Sequence, residues 1–263
     1  MSAESVLIEL RDFSFSFGER KVLEDISMSI GKGEFVCIIG PNGAGKTTLI
    51  KCLNRIWRGG SGSISIAGKP LNHYSQGEIA RLLAYVPQAD GRTAPFTVYE
   101  FVMMGRYPYL DAFSSIRSED DKVIRKAMET TGTSDFAERF FDTLSGGERQ
   151  KVFLAAALAQ QGSMLLLDEP TTFLDPRHQI EINRTLKRVN QEDGVTILSA
   201  THDINSGLGI AERIIALKAG RVVFDGPGDV LVGTNVLRDL YDHDFLITQH
   251  PKTGKPIILP EED

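Results

Sequence analysis

Phe35-Val-Cys-Ile-Ile-Gly40-Pro-Asn-Gly-Ala-Gly45-Lys-Thr-Thr48 joins a wholly apolar run to a glycine-rich loop that ends in a lysine and paired threonines. A short run with no polar residue fits a strand buried on both faces. The loop Gly40, Pro41, Asn42, Gly43, Ala44, Gly45, Lys46, Thr47 matches G-x-x-x-x-G-K-[ST] in full. Helical spacing follows over Thr47–Asn54, and strand, glycine loop and helix in that order open an α/β domain. Glycines let the backbone curl so that several N–H groups, with that of Thr48 among the flanking ones, point inward at phosphate oxygens. These donors sit at a helix N-terminus, whose dipole also attracts an anion. Lys46 supplies a mobile positive charge for β- and γ-phosphates, and the Thr47 hydroxyl suits a Mg²⁺ ion.

Outward from this loop, Val6–Phe17 alternates apolar and polar residues, as a half-buried strand does. Gly18 and Glu19 form a turn signal, and Lys21–Ile30 resumes the alternation before a second turn at Gly31–Gly33. From about Ala89 to Gln161 the pattern is mostly helical, clearest over Ser118–Thr131 and Glu148–Gln161. Met164–Leu167 and Val195–Ala200 return to buried strands, with a helix expected over Pro176–Asn190. The expected fold is therefore α/β, a mostly parallel core interrupted by a helical insert at about 89–161. A tail of about 232–263 ends in a Pro- and Gly-punctuated stretch at His250–Pro260.

Composition narrows the class. Hydrophobic residues at 41% and charged residues at 24% are near globular averages, which excludes a disordered chain. A net charge of −6 argues against a surface that coats nucleic acid. Cys37 and Cys52 lack metal or redox spacing and read as buried, reduced thiols. The opening Met1–Phe13 has no basic segment leading into a long apolar stretch, so no signal peptide is expected. The longest apolar runs fall far short of the ~20 residues that span a bilayer. Any membrane role must come through a partner.

Met164-Leu-Leu-Leu-Asp168-Glu169 is an apolar strand ending in adjacent acids. A carboxylate at the tip of a parallel strand points into the crevice where ligands of open α/β sheets lie. Asp168 can hold Mg²⁺, and Glu169, on the other face of the strand, can reach an attacking water. Leu144-Ser-Gly-Gly-Glu148 precedes the helical run Arg149–Gln161. Ser145 is an N-cap candidate, while Gly146 and Gly147 leave backbone N–H groups open to an anion.

In that order and spacing, Gly40–Thr48, Leu144–Glu148 and Asp168–Glu169 resemble the ATP-binding subunits of ABC transporters, over nearly the whole chain. The resemblance implies a P-loop NTPase core of mostly parallel strands, with N-terminal antiparallel strands and the inserted helical subdomain, across residues 1–263. It implies a homodimer in which the elbow of one subunit, Ser145, Gly146, Gly147 and Glu148, closes on ATP held by the loop of the other. Gln88, in Tyr85-Val-Pro-Gln88, resembles the glutamine that ligates the metal and relays contact with the membrane subunit. Asp175 resembles the acid that couples the two sites, and is also a good helix N-cap ahead of Pro176. His202 resembles the histidine that touches the γ-phosphate. Phe17 takes the place of the aromatic that stacks on adenine, although it shares a strand face with Phe13 and Phe15, which leaves a core role as the alternative. Ala156 stands where arginine is common in the elbow helix, and Lys151 replaces another.

With one nucleotide module and no membrane segment, the chain resembles the separate subunit of an importer. Gly105-Arg-Tyr-Pro-Tyr109, Thr171–Gln179 and His250–Pro256 are similar to the branch that serves iron–siderophore, haem and cobalamin import; Gly105–Tyr109 could also be an aromatic loop packed on the insert. The implied catalytic residues are Glu169, His202, Lys46 and Gln88, with Mg²⁺ on Thr47, Gln88 and Asp168. The implied partners are a second copy, integral-membrane permease subunits and, indirectly, a substrate-binding protein, at the cytoplasmic face of the inner membrane. The competing class is a soluble ATP-dependent clamp on DNA or ribosomes.

Overall fold

The computed structural model describes residues 6–88, 94–110 and 116–261. Ala89, the expected start of the helical stretch, lies outside them, as do Met1 at the head and Asp263 at the end of the tail. Two compact units emerge: Met1–His73 with Thr196–Asp263, and Tyr74–Val195.

The first unit opens with β1 (Val6–Phe17), β2 (Arg20–Gly31), β3 (Phe35–Ile39), α1 (Lys46–Leu53), β4 (Ser61–Ile66) and β5 (Lys69–Pro70). The second holds α2 (Gln76–Leu82), β6 (Leu83–Val86), α3 (Val98–Met103), α4 (Ser118–Thr131), α5 (Gly146–Ala159), β7 (Met164–Asp168) and α6 (Pro176–Asp193). The chain then returns to the first unit through β8 (Thr196–Thr201), α7 (Ile204–Ile210), β9 (Arg213–Lys218) and β10 (Arg221–Pro227). It closes with α8 (Gly228–Val232), α9 (Val236–Tyr241), β11 (Phe245–Gln249) and β12 (Pro256–Pro260).

In the first unit β3 runs parallel to both β8 and β9, and β10 returns antiparallel on β9. Val36–Ile39 are wholly buried, as expected for a strand covered on both faces. Full burial of each such Val or Ile stabilises the fold by about 1.5–3 kcal/mol. The N-terminal strands form a separate antiparallel sheet in the order β2-β1-β4-β5. Its register slips at several points, among them between Leu10 and Phe13, where Asp12 takes a φ of 48°. Ser27 secures the bulge: its Oγ accepts from the Asp12 N–H at 2.9 Å and donates to the Asp12 carboxylate at 3.0 Å. The tail is structured too. Strands β11 and β12 form a hairpin, and Asn205 on α7 both donates to and accepts from the Ile258 backbone at 2.8 Å.

In the second unit β6 and β7 pair in parallel, with Leu165–Leu167 buried. A helical core forms from α3, α4 and α5 around Val98, Val102, Ile124, Met128, Phe141 and Val152. Phe101 stacks on Phe141 at 4.4 Å, and Phe153 meets both edge-on. Gly105–Tyr109 lies in a tight 3₁₀ segment packed on this core. A methyl at Gly105 would come within 2.2 Å of the Ala156 carbonyl oxygen, so only glycine permits this approach to α5. Arg106, only 6% exposed, bonds the Asp120 carboxylate at 3.0 Å, the Ala159 carbonyl at 2.7 Å and the Gln161 side chain at 2.9 Å. Tyr109 covers its guanidinium at 4.2 Å and donates to the Gln160 carbonyl. Gly105, Arg106 and Tyr109 are thus engaged in packing on the insert, and Tyr107, at 60%, is the most exposed of the five.

Both cysteines are buried, and burial pushes the Cys52 thiol up to about 12. Because the thiolate is the nucleophile, the native chain is expected to resist iodoacetamide at neutral pH and to take up two equivalents only after unfolding. Mass spectrometry of the alkylated native chain checks this, and rapid labelling of Cys52 would contradict it.

Candidate functional site

In the first unit the phosphate loop is shaped by backbone crowding. Gly40 has a φ of 154°, and a methyl there would lie 2.2 Å from the Leu217 carbonyl oxygen. Gly45, at φ 105°, would collide with Leu23 at 2.8 Å and the Val22 carbonyl at 3.0 Å. Gly43 faces open space but still needs its φ of 81°, a region that side chains disfavour. The Ala44 N–H donates to the Pro41 carbonyl at 3.2 Å, closing the turn, and the Leu49 N–H reaches Gly45 to start α1. Gly45 caps α1 without a side-chain oxygen, and helix N-terminal amides in such a loop favour an anion. Lys46 is 6% exposed, and its ammonium donates to the Gly40 carbonyl at 2.8 Å and the Pro41 carbonyl at 3.2 Å. The lysine is thus held on its own loop, directly after Gly45, with Thr47 and Thr48 following in the first turn.

Phe17 and His202 belong to the same unit. Phe13 and Phe15 are core, but Phe17 is 45% exposed, which removes the core alternative for it. It pairs with Arg20 at the turn end of the β1–β2 hairpin, beyond the packed part of the sheet. Its ring meets Phe15 at 5.0 Å and Trp57 at 5.3 Å, both near perpendicular, so two edge contacts fix the orientation of a partly open aromatic face. His202 is exposed immediately after β8, beside Asp203, whose carboxylate caps α7 by accepting from the Ser206 N–H at 3.1 Å.

In the second unit Asp168 ends β7, buried, with the Tyr85 hydroxyl donating to its Oδ2 at 3.3 Å. Glu169 follows with a φ of 52°, a left-handed conformation that costs a non-glycine residue of order 1–3 kcal/mol. The Thr172 hydroxyl donates to its carboxylate at 2.7 Å. An aimed carboxylate on a strained backbone is the kind of feature that clusters at functional sites. Gln88 is half-buried after Pro87.

Ser145 caps α5 in a reciprocal arrangement: its hydroxyl accepts from the Glu148 N–H at 3.3 Å, and its own N–H donates to Glu148 Oε2 at 2.8 Å. Partial burial raises the Glu148 carboxyl, but the bonds from Ser145 and Arg139 outweigh it and hold the group below its ordinary range. Asp175 caps α6 as expected, accepting from the His178 N–H at 3.0 Å.

A family model described as ABC transporter matches residues 23–172, more than half of the chain. The chain belongs to the ABC transporter family. The iron(3+)-hydroxamate import ATP-binding protein of Bacillus subtilis is 39% identical to it, covering 96% of this chain and 94% of that protein. The ferric enterobactin transport ATP-binding protein of Escherichia coli is 36% identical, covering 94% and 91%. Among solved structures, an inward-facing transporter described as of metal-chelate type superposes with a TM-score of 0.85 at 25% identity, covering 98% of both chains. This ABC protein is an ATP-binding subunit, and ATPase activity coupled to transport comes with that membership.

The ABC fold carries supporting residues that motif reading did not single out. Thr172 aims Glu169, Tyr85 bonds Asp168, Trp57 braces Phe17 and His178 bonds Asp175. The first has a signal in sequence, a hydroxyl three residues after the acid in a turn. The Trp57 contact has none, since forty residues separate it from Phe17 and only the fold joins them.

Proposed function

We propose that this ABC subunit energises uptake of a metal chelate, most specifically an iron–siderophore, by hydrolysing ATP. The full-length likeness to import subunits for iron(3+)-hydroxamate and ferric enterobactin carries the reading. Among the described residues no helix is long and apolar enough to cross a membrane; in this reading the membrane path is supplied by permease subunits. Two copies of the chain act together with those permeases, at the cytoplasmic face of the inner membrane, and a substrate-binding protein delivers the chelate.

In this reading the backbone N–H groups of Gly40–Thr48 and the Lys46 ammonium hold the β- and γ-phosphates, and Phe17 stacks on adenine. Thr47, Gln88 and Asp168 offer hydroxyl, amide and carboxylate oxygens, a hard donor set that fits Mg²⁺. No group of three or more His, Cys, Asp or Glu capable of holding a metal occurs among the described residues, which fits an ion that takes few protein ligands and several phosphate oxygens. When bound, Mg²⁺ neutralises phosphate charge. Glu169 accepts the proton of the attacking water, and His202 contacts the γ-phosphate. Ser145, Gly146, Gly147 and Glu148 present their anion-binding turn to the nucleotide of the second copy, where Asp175 couples the two sites.

The deciding experiment is co-purification with the membrane permease, followed by ATP-driven uptake into vesicles of a hydroxamate siderophore, haem and cobalamin. Uptake of the ferric siderophore supports the proposal. Uptake of haem or cobalamin alone would move the cargo, and ATPase activity stimulated by nucleic acid without a permease would replace the reading with a soluble clamp.

A further inference from the structure

Gly146 and Gly147 stand side by side in the elbow, yet their surroundings differ. A methyl at Gly146 would meet open space. A methyl at Gly147 would land 2.4 Å from Cγ, 2.6 Å from Cδ2 and 2.7 Å from Nδ1 of His178, in hard collision with the imidazole. The ring cannot swing away cheaply. Its Nδ1 lies 2.7 Å from Asp175 Oδ2, while the His178 N–H bonds the other Asp175 oxygen at 3.0 Å. Those bonds from the His178 backbone and ring hold the Asp175 carboxyl below its ordinary range. One turn further along both helices, Lys151 on α5 pairs with Glu181 on α6, and Arg177 joins Glu181 at 3.0 Å. The N-terminal turns of α5 and α6 are therefore joined by two rungs, and the imidazole is the upper one.

We propose that His178 is a positioning residue that locks the Ser145–Gly147 turn to the Asp175 turn, so that both elements enter the closed nucleotide site as one rigid piece. The inference rests on the reading that Ser145 and Gly147 meet the nucleotide of a second copy. His178 touches no reacting atom. It acts by fixing where the Gly147 N–H and the Asp175 carboxylate stand. Errors of about 1 Å in such placement lower rates by as much as about a hundredfold.

The geometry separates this role from general stability. The phosphate loop lies in the other compact unit, so loss of the ring should leave nucleotide affinity of the single subunit intact and lower the rate of the closed pair. Steady-state ATPase kinetics, fluorescent-nucleotide affinity and melting temperature are measured on the full chain assembled with its permease. His178→Ala is expected to lower kcat by about tenfold, with affinity within about twofold. His178→Asn places an amide donor near the former Nδ1 and should recover most of kcat. Gly147→Ala keeps the backbone N–H but collides with the ring, and should lose more than His178→Ala. The same Gly147→Ala change on the His178→Ala background should cost less than it does in the parent protein, because the collision with the ring is then absent, whatever the methyl costs at the nucleotide.

Unchanged kcat in His178→Ala overturns the proposal. So does a Gly147→Ala cost that is the same with and without the imidazole, or parallel losses of melting temperature, affinity and kcat that Asn fails to rescue. Ser145→Ala distinguishes the two levels. Full turnover in that variant removes the elbow reading and this inference with it, whereas loss of turnover there beside a silent His178 series removes this inference alone.

Discussion

Glu169→Gln is expected to lower steady-state ATP turnover by roughly 10²–10⁴-fold, with nucleotide affinity unchanged. If Glu169 is the base, as proposed, the substitution removes it and little else. Glutamine has the same shape, and its amide oxygen can still accept the Thr172 hydroxyl that bonds the carboxylate at 2.7 Å. The backbone at φ 52° is as strained for Gln as for Glu, so the fold's expense there is unaltered. The phosphate loop proposed to hold the nucleotide belongs to the other compact unit and is untouched. ATP should therefore bind and remain, holding two copies together as a long-lived dimer on size-exclusion chromatography in the presence of ATP and Mg²⁺. Turnover within a few-fold of the parent protein would remove Glu169 as the base. Thr172 would then be bonding a carboxylate whose purpose is structural.

Arg106→Met is expected to destabilise the second unit by about 3–5 kcal/mol, the usual consequence of removing one partner from a buried ion pair. Methionine fills much of the volume of the arginine stem but satisfies none of its partners. Asp120 keeps a bond from the Arg117 N–H at 3.2 Å but loses its buried cation, and the Ala159 carbonyl at the end of α5 loses a donor. The melting temperature should fall by roughly 6 °C or more. The acid limb gives an independent check. Bonding to Arg106 is the largest influence holding the Asp120 carboxyl below its ordinary value of 3.8, ahead of an opposing effect of burial. A carboxyl lowered in the folded state contributes stability that is fully present above its unfolded value and is lost as pH falls through the folded one. The parent protein should therefore lose stability below about pH 3.8 more steeply than Arg106→Met does. A melting temperature unchanged by the substitution would show that the network is dispensable.

Sequence reading reaches furthest where a short stretch carries its own physics. The apolar run Phe35–Ile39, the glycines that follow it and the Lys46 that closes the loop depend on neighbours a few residues away, and they fold as their pattern implies. Helix α4 begins at Ser118 and ends at Thr131, as its spacing predicts, because Gly132 in a left-handed conformation stops it. Helix α6 outruns the expected end at Asn190 and continues to Asp193. There the polar run Gln-Glu-Asp weakens the apolar rhythm, although Gly194, at φ 68°, marks the true stop. Short elements were harder. Strand β4 carries Gly62 near its start, and β6 has only four residues, too few for periodicity to speak. For Phe17, alternation alone leaves both core and platform open. What decides it is tertiary: the hairpin ends there, and a strand face that is interior at Phe13 is at the rim four residues later. His178 is the sharpest case, since the glycine that makes room for its ring lies thirty-one residues earlier.

Trp57 is the chain's sole tryptophan, and its indole rests edge-on to Phe17 at 5.3 Å with the Lys51 ammonium 5.9 Å from the ring centre. All of the protein's indole fluorescence therefore originates at one spot, against the aromatic assigned to the nucleobase. The chain carries a built-in optical probe there, one that needs no label and no engineered residue to follow events at that ring in real time.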